Sequence, residues 1–186
     1  CNLFKFNSTF NSNINNWNVS NVTNMAHMFW YATIFNQPLD KWNTSKVTRM
    51  NTMFNGTNAF NQDINTNVQT RNGTEYLAWD VSNVENMTDM FSVTTAFNQP
   101  INKWNTSNVK NMQQMFRQSI FNQNITENEV SFTINGKTNT YDAWNVSNVT
   151  NMYAMFNQNY TFNNGSVDIN GNPSSEPQNE LNWNTL

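Results

Sequence analysis

Apolar residues recur along this chain at fixed distances from a tryptophan. Take Trp17, Trp42, Trp79, Trp104 and Trp144 as position zero. Val then stands at position five (Val22, Val47, Val84, Val109, Val149), Met at eight and eleven, and Phe at twelve (Met25, Met28 and Phe29 in the first copy). A second Phe follows (Phe35, Phe60, Phe97, Phe121, Phe162), then Asn, and in most copies Leu or Ile (Leu39, Ile64, Ile101, Ile125). Phe4, Phe10 and Ile14 carry the pattern back before Trp17, and Trp183 starts it once more.

The spacing of Val, Met, Met and Phe follows the i, i+3, i+6, i+7 stripe of a short helix. Ser at position three (Ser20, Ser45, Ser82, Ser107, Ser147) stands where an N-cap belongs, and Ser82 with Glu85 reads as a capping box. The stretch from Leu39 to Thr44 is near-alternating, with aromatic and β-branched residues, and reads as a short strand. The predicted fold class is therefore α/β: a leucine-rich-repeat-like solenoid with one short strand and one short helix per repeat of about 25 residues. Residues 1–186 form a single repeat domain in this reading. It holds a partial repeat at 1–16, repeats from each of the five tryptophans, and a partial repeat at 183–186.

Insertions at about 65–78, 126–143 and 166–182 lengthen three of the repeats at the same corner, and so belong on one face. Each contains Asn-Gly: Asn72-Gly73, Asn135-Gly136 and Asn170-Gly171. The second alternates through Val130, Phe132 and Ile134 up to its turn, the signal of a hairpin with a type I′ turn. The first is a weaker copy, and the third, with Pro173 and Pro177, reads as a loop. Two readings of the insertions stand side by side. They cover an edge of the stack, or they form a one-sided contact surface built on Asn72, Gly73, Tyr76, Asn135, Gly136, Tyr141, Asn170 and Gly171.

Composition narrows the function. Charged residues make up 11% of the chain and the net charge is -3, which is no footprint for nucleic acid. Asparagine supplies 42 of 186 residues, yet the periodic aromatics give the chain a face to bury, which a disordered tract lacks. Inward-turned Asn columns are expected to bond the turn backbone or the amide of the next copy. A lone cysteine, Cys1, excludes an internal disulfide framework, and no stretch of about 20 apolar residues offers a membrane-spanning helix. The methionine columns lack a partnering His or Cys column, so they read as packing and not as a metal box. The one histidine, His27, reads as a surface residue, and the scattered carboxylates suggest no catalytic group.

The string W-[ND]-[VT]-S-x-V-x-N-M-x-x-M-F, followed by F-N-Q-[PD]-[LI] as in Trp17–Phe29 and Phe35–Leu39, resembles the repeat of the BspA-type leucine-rich-repeat surface proteins. The resemblance covers nearly the whole chain apart from the insertions. It implies an extracellular or cell-surface protein that works by adhesion or protein–protein contact, with no catalytic residue, no cofactor and no metal. The insertions and the excess of Asn depart from the usual pattern. A carbohydrate-binding module using Trp30, Tyr31, Tyr76 and Tyr141 is the alternative. In a eukaryotic secreted protein the loop sequons Asn7, Asn55, Asn72, Asn124, Asn159 and Asn164 would take N-linked glycans, and Asn86 would stay bare. The chain starts and stops inside a repeat with no polar cap. It is then either a window on a longer array or a subunit whose ends stack on its own copies to form a filament.

Overall fold

The structure is a computed structural model and describes residues 2–163. Cys1, the third insertion at 166–182, the partial repeat at 183–186, Asn164, Asn170 and Gly171 lie outside the described residues. Five coils, each opening on its tryptophan, follow one partial coil and stack along an axis. The strands among the described residues are β1 (Asn67–Arg71), β2 (Thr74–Ala78), β3 (Asn128–Ile134) and β4 (Lys137–Ala143), paired β1 with β2 and β3 with β4 as antiparallel hairpins.

No helix occurs among the described residues, and no strand runs through Leu39–Thr44. The predicted α/β unit of one strand and one helix is therefore overturned. In its place each coil is a succession of β-turns. Backbone N–H groups bond three residues back at Val22→Val19, Met28→Met25, Ala32→Phe29, Phe35→Ala32 and Trp42→Leu39, at 2.8–3.2 Å. A turn that closes over three residues brings both its corner residues inward, so a chain of turns yields the same spacing of three that a short helix does.

Two features divert the backbone from a helix. Residues at position ten (His27, Thr52, Asp89, Gln114, Ala154) and position fourteen (Tyr31, Gly56, Val93, Gln118, Gln158) all have φ between 53° and 67°. That places a left-handed residue third in the turn, the type II arrangement. Asn side chains also take the early backbone donors for themselves. Asn18, Asn43, Asn105 and Asn145 Oδ1, and Asp80 Oδ1, each accept the N–H of the Ser two residues on, at 3.0–3.2 Å. The Ser column is thus held by Asx turns and caps no helix.

Between coils every second N–H of the turn region donates to the next coil. Met25, His27, Phe29 and Tyr31 N–H reach the carbonyls of Arg49, Asn51, Met53 and Asn55 at 2.8–3.1 Å. The parallel contact continues from Asn24 through Arg49, Asn86 and Asn111 to Asn151. Local turns and inter-coil bonds share the backbone donors alternately, so the coils need no regular sheet.

The interior is aromatic. Phe4, Phe29, Phe54, Phe91, Phe116 and Phe156 form one column with centroids 5.4–5.6 Å apart. Phe10, Phe35, Phe60, Phe97, Phe121 and Phe162 form a second, 5.5–6.3 Å apart. Trp79, Trp104 and Trp144 stack 6.3 and 6.5 Å apart beside them. The methionines Met50, Met53, Met87, Met90, Met112 and Met115 are fully buried.

Position fourteen offers a test of the turn geometry. Gly56 has open conformational freedom there and also clears the Tyr31 ring, which a Cβ would meet at 2.8 Å. Val93 holds the same place in the next coil at φ 58°, a costly setting for a β-branched residue. Val93→Asn is expected to stabilise the chain by about 1 kcal/mol. Urea midpoints of the two proteins check this, and an unchanged or lower midpoint for the Asn variant would refute it.

Candidate functional site

Both hairpins turn on Asn-Gly, with positive φ at each residue: 51° and 77° at Asn72-Gly73, and 49° and 75° at Asn135-Gly136. Two left-handed residues in sequence define the type I′ turn, whose twist suits the flanking strands. The turn sets the register. Arg71 faces Thr74, Gln69 faces Tyr76, and in the longer hairpin Val130 faces Tyr141.

Each hairpin folds back onto the preceding coil by one equivalent bond. The Tyr76 hydroxyl donates to the Lys41 carbonyl at 2.8 Å, and the Tyr141 hydroxyl to the Lys103 carbonyl at 2.6 Å. Burial holds the Tyr141 hydroxyl well above its ordinary pKa. The hairpins also touch each other, where the Asn135 N–H donates to Glu75 Oε2 at 2.6 Å. Phe132 stacks on Tyr141 at 6.2 Å, with Lys103 Nζ 5.7 Å above its ring. On the outer side of the second hairpin Ser131 meets Thr140 at 2.7 Å and Thr133 meets Thr138 at 2.9 Å, all four exposed.

A cleft of about 280 Å³ opens where the first hairpin overhangs the first two coils. Asn18, Ser20 and Asn43 line the coil side, and Arg71, Asn72, Thr74 and Tyr76 the hairpin side. Arg71 Nη2 donates to the Trp17 carbonyl at 3.3 Å, and its guanidinium lies 6.0 Å from the Tyr76 ring centre. Its neighbours are amides and hydroxyls.

The predicted contact residues divide accordingly. Asn72 and Tyr76 share this cleft, and Gly73 adjoins it at an exposed tip. Asn135 and Gly136 form the other exposed tip, while Tyr141 is half-buried beneath the second hairpin. The four aromatics named for sugar contact do not form one site. Tyr76 and Tyr141 have committed hydroxyls, whereas Trp30 and Tyr31 cluster elsewhere with Phe6 and Lys5, whose Nζ sits 4.2 Å above the Trp30 ring. His27 lies at the edge of that cluster, half-buried, where desolvation first and Lys5 second depress its pKa. Among the sequons, Asn7, Asn72 and Asn124 are exposed and Asn55 is half-buried. Asn159 spends its amide nitrogen on Ser119 Oγ at 3.2 Å and the Phe121 carbonyl at 3.0 Å.

Arg71, Asn18, Ser20, Asn43 and Thr74 are absent from the predicted contact set. The signal for Arg71 and Thr74 was present. Counting outward from Asn72-Gly73 pairs Arg71 with Thr74 and puts Arg71 on the same hairpin face as Tyr76. The coil residues had no such signal, because their place beneath the hairpin depends on which way it folds back.

A family described as "Mycoplasma protein of unknown function, DUF285" matches residues 1–77 and 132–176. No curated protein and no solved structure matches.

Proposed function

We propose that this chain, which belongs to the DUF285 family, is a non-enzymatic contact protein of the cell exterior: a scaffold of stacked coils that presents two hairpins to other protein chains. The observation that carries the reading is the placement of the hairpins. The column interior is filled by its own side chains, whereas both insertions fold back on the coils and meet through Asn135 and Glu75. Their joined outer surface is exposed and rich in Ser, Thr, Asn and carboxylates. The family match supports a surface repeat protein at this coarse level.

The repeat itself supplies a clean test. Removing residues 67–78 leaves Ile64-Asn65-Thr66 before Trp79, the spacing of Leu39-Asp40-Lys41 before Trp42. Removing 128–143 likewise leaves Ile125-Thr126-Glu127 before Trp144. The double excision is expected to keep the aromatic column, seen as a retained near-ultraviolet signal of its tryptophans, whereas beads coated with the intact chain are expected to attach to protein-coated surfaces and beads coated with the excised chain are not. Equal attachment with and without the hairpins would sink the reading.

Self-contact falls within the same reading. A second copy of this chain is among the partners such a surface would meet. Sedimentation velocity across a concentration series distinguishes that contact from contact with other chains.

A further inference from the structure

We propose that the cleft beneath the first hairpin binds the carboxylate-bearing ring of an acidic sugar, with Arg71 holding the carboxylate and Tyr76 walling the ring. This goes beyond the contact reading and does not depend on it.

The first argument is the donor balance of the cleft. Asn18 Oδ1 accepts both the N–H of Ser20 at 3.2 Å and its hydroxyl at 2.7 Å. Asn43 Oδ1 accepts the same pair from Ser45 at 3.1 and 2.7 Å. Each amide oxygen is therefore spent within its own turn, and that fixes which end of the amide remains. Both Nδ2 groups are left without a protein partner among the described residues, and an amide nitrogen is only a donor. The hydroxyl of Ser20 is likewise engaged, with its proton on Asn18. What the coils offer to a ligand is N–H.

The second argument is Arg71. No carboxylate lies within ion-pair distance of it among the described residues, where the one salt bridge joins Lys110 to Glu85. A single bond to the Trp17 carbonyl restrains the guanidinium, leaving most of its five donors available. A guanidinium beside two fixed amide donors suits a planar anion with several lone pairs, and a carboxylate accepts from Arg in the two-bond fork.

The third argument is size and wall. At about 280 Å³ the cleft falls just below the roughly 300–1,000 Å³ usual for small-molecule sites, which suits one ring and not an extended peptide. Tyr76 is pinned by its hydroxyl to Lys41, so its ring is already in place as a wall. A preset wall lowers the ordering cost of binding. The hydroxyls of a sugar would meet Thr74 and Asn72 at the mouth.

The test is titration of the intact chain, of bare mass 21.6 kDa so that Asn72 carries no glycan, with glucuronate, glucose and acetate by calorimetry. Saturable binding is expected for glucuronate, at least about tenfold weaker for glucose and for acetate, and weakened by added salt. Arg71→Gln is expected to abolish it. Asn43→Asp serves as the second variant. Asp80 occupies the same place in the third coil and holds the N–H of Ser82 at 3.0 Å, so the turn survives while a donor becomes a carboxylate. That variant should fold with an unchanged melting temperature and lose glucuronate binding. The proposal is overturned if glucuronate does not saturate, if glucose or acetate binds equally well, or if both variants bind as the parent does.

Discussion

Replacing Trp104 by alanine is expected to cost about 3–5 kcal/mol, the range for deleting a large aromatic from a packed core. Trp104 is fully buried, stacked on Trp79 at 6.3 Å and on Trp144 at 6.5 Å, and tilted against Phe91 at 6.2 Å. Its indole N–H donates to the carbonyl of Ile64, in the coil that opens on Trp42, at 2.9 Å. The alanine variant therefore removes three aromatic contacts and leaves a buried carbonyl without its donor. Set against a typical stability of roughly 5–15 kcal/mol, the loss is large, and it lowers the melting temperature by about 6–20 °C for a chain of this size. Because each coil touches only its neighbours, amide exchange should quicken most between Trp79 and Trp144. Two controls separate the contributions. Trp104→Phe keeps an aromatic ring but loses the N–H, and should cost about 1–3 kcal/mol less than the alanine variant. Trp17→Ala removes the same repeat residue where it is 44% exposed, and should cost less than about 1 kcal/mol. A Trp17 variant as damaging as the Trp104 one would show that repeat identity outweighs burial.

That contrast between copies also marks what could be read in advance. The inward columns of Trp, Met and Phe were legible because apolar residues at a recurring spacing must be buried together under any backbone that repeats with them. The backbone itself was not. A spacing of three fits a helix stripe and a chain of β-turns alike, and the periodicity at Met25, Met28 and Phe29 cannot choose between them. Asparagine could have decided it. Asn at positions one and seven, next to the supposed N-cap and inside the supposed helix, competes for backbone donors through Asx turns. Four of the five coils carry Asn at each of those positions, which weighs more than one Ser82–Glu85 pairing. The hairpin turns were legible for the opposite reason: Asn-Gly meets a demand for two consecutive left-handed residues that few other pairs can meet. The cleft was legible only on its hairpin side. Arg71, Thr74 and Tyr76 follow from local register, but Asn18, Ser20 and Asn43 join them through a fold-back set by the bond of Tyr76 to the Lys41 carbonyl, a contact across 35 residues of chain.

The same asparagines hold the second large effect. After the second Phe of each coil comes an Asn whose side-chain oxygen accepts the backbone N–H of the Asn in the next coil. The bonds run Asn36→Asn11, Asn61→Asn36, Asn98→Asn61, Asn122→Asn98 and Asn163→Asn122, at 2.7–3.0 Å. Gln99 Nε2 adds a second donor to Asn61 Oδ1 at 3.2 Å. Asn61→Ala deletes that acceptor at the middle of the column and strands the half-buried N–H of Asn98, at a cost of about 1–3 kcal/mol. The decisive comparison is Asn61→Asp. A carboxylate keeps an oxygen where both donors point and loses only the amide nitrogen, so it should cost less than about 1 kcal/mol above pH 6, where the group is ionised. The ordinary carboxylate pKa lies near 4, and accepting two N–H bonds pulls the folded value lower. The benefit is then present above the unfolded pKa and is lost as pH falls through the folded one. Denaturant midpoints of the three proteins at pH 7 and at pH 3 test the ladder. If the Asp and Ala variants lose equal stability at pH 7, the column is held by packing and the side-chain oxygen contributes nothing.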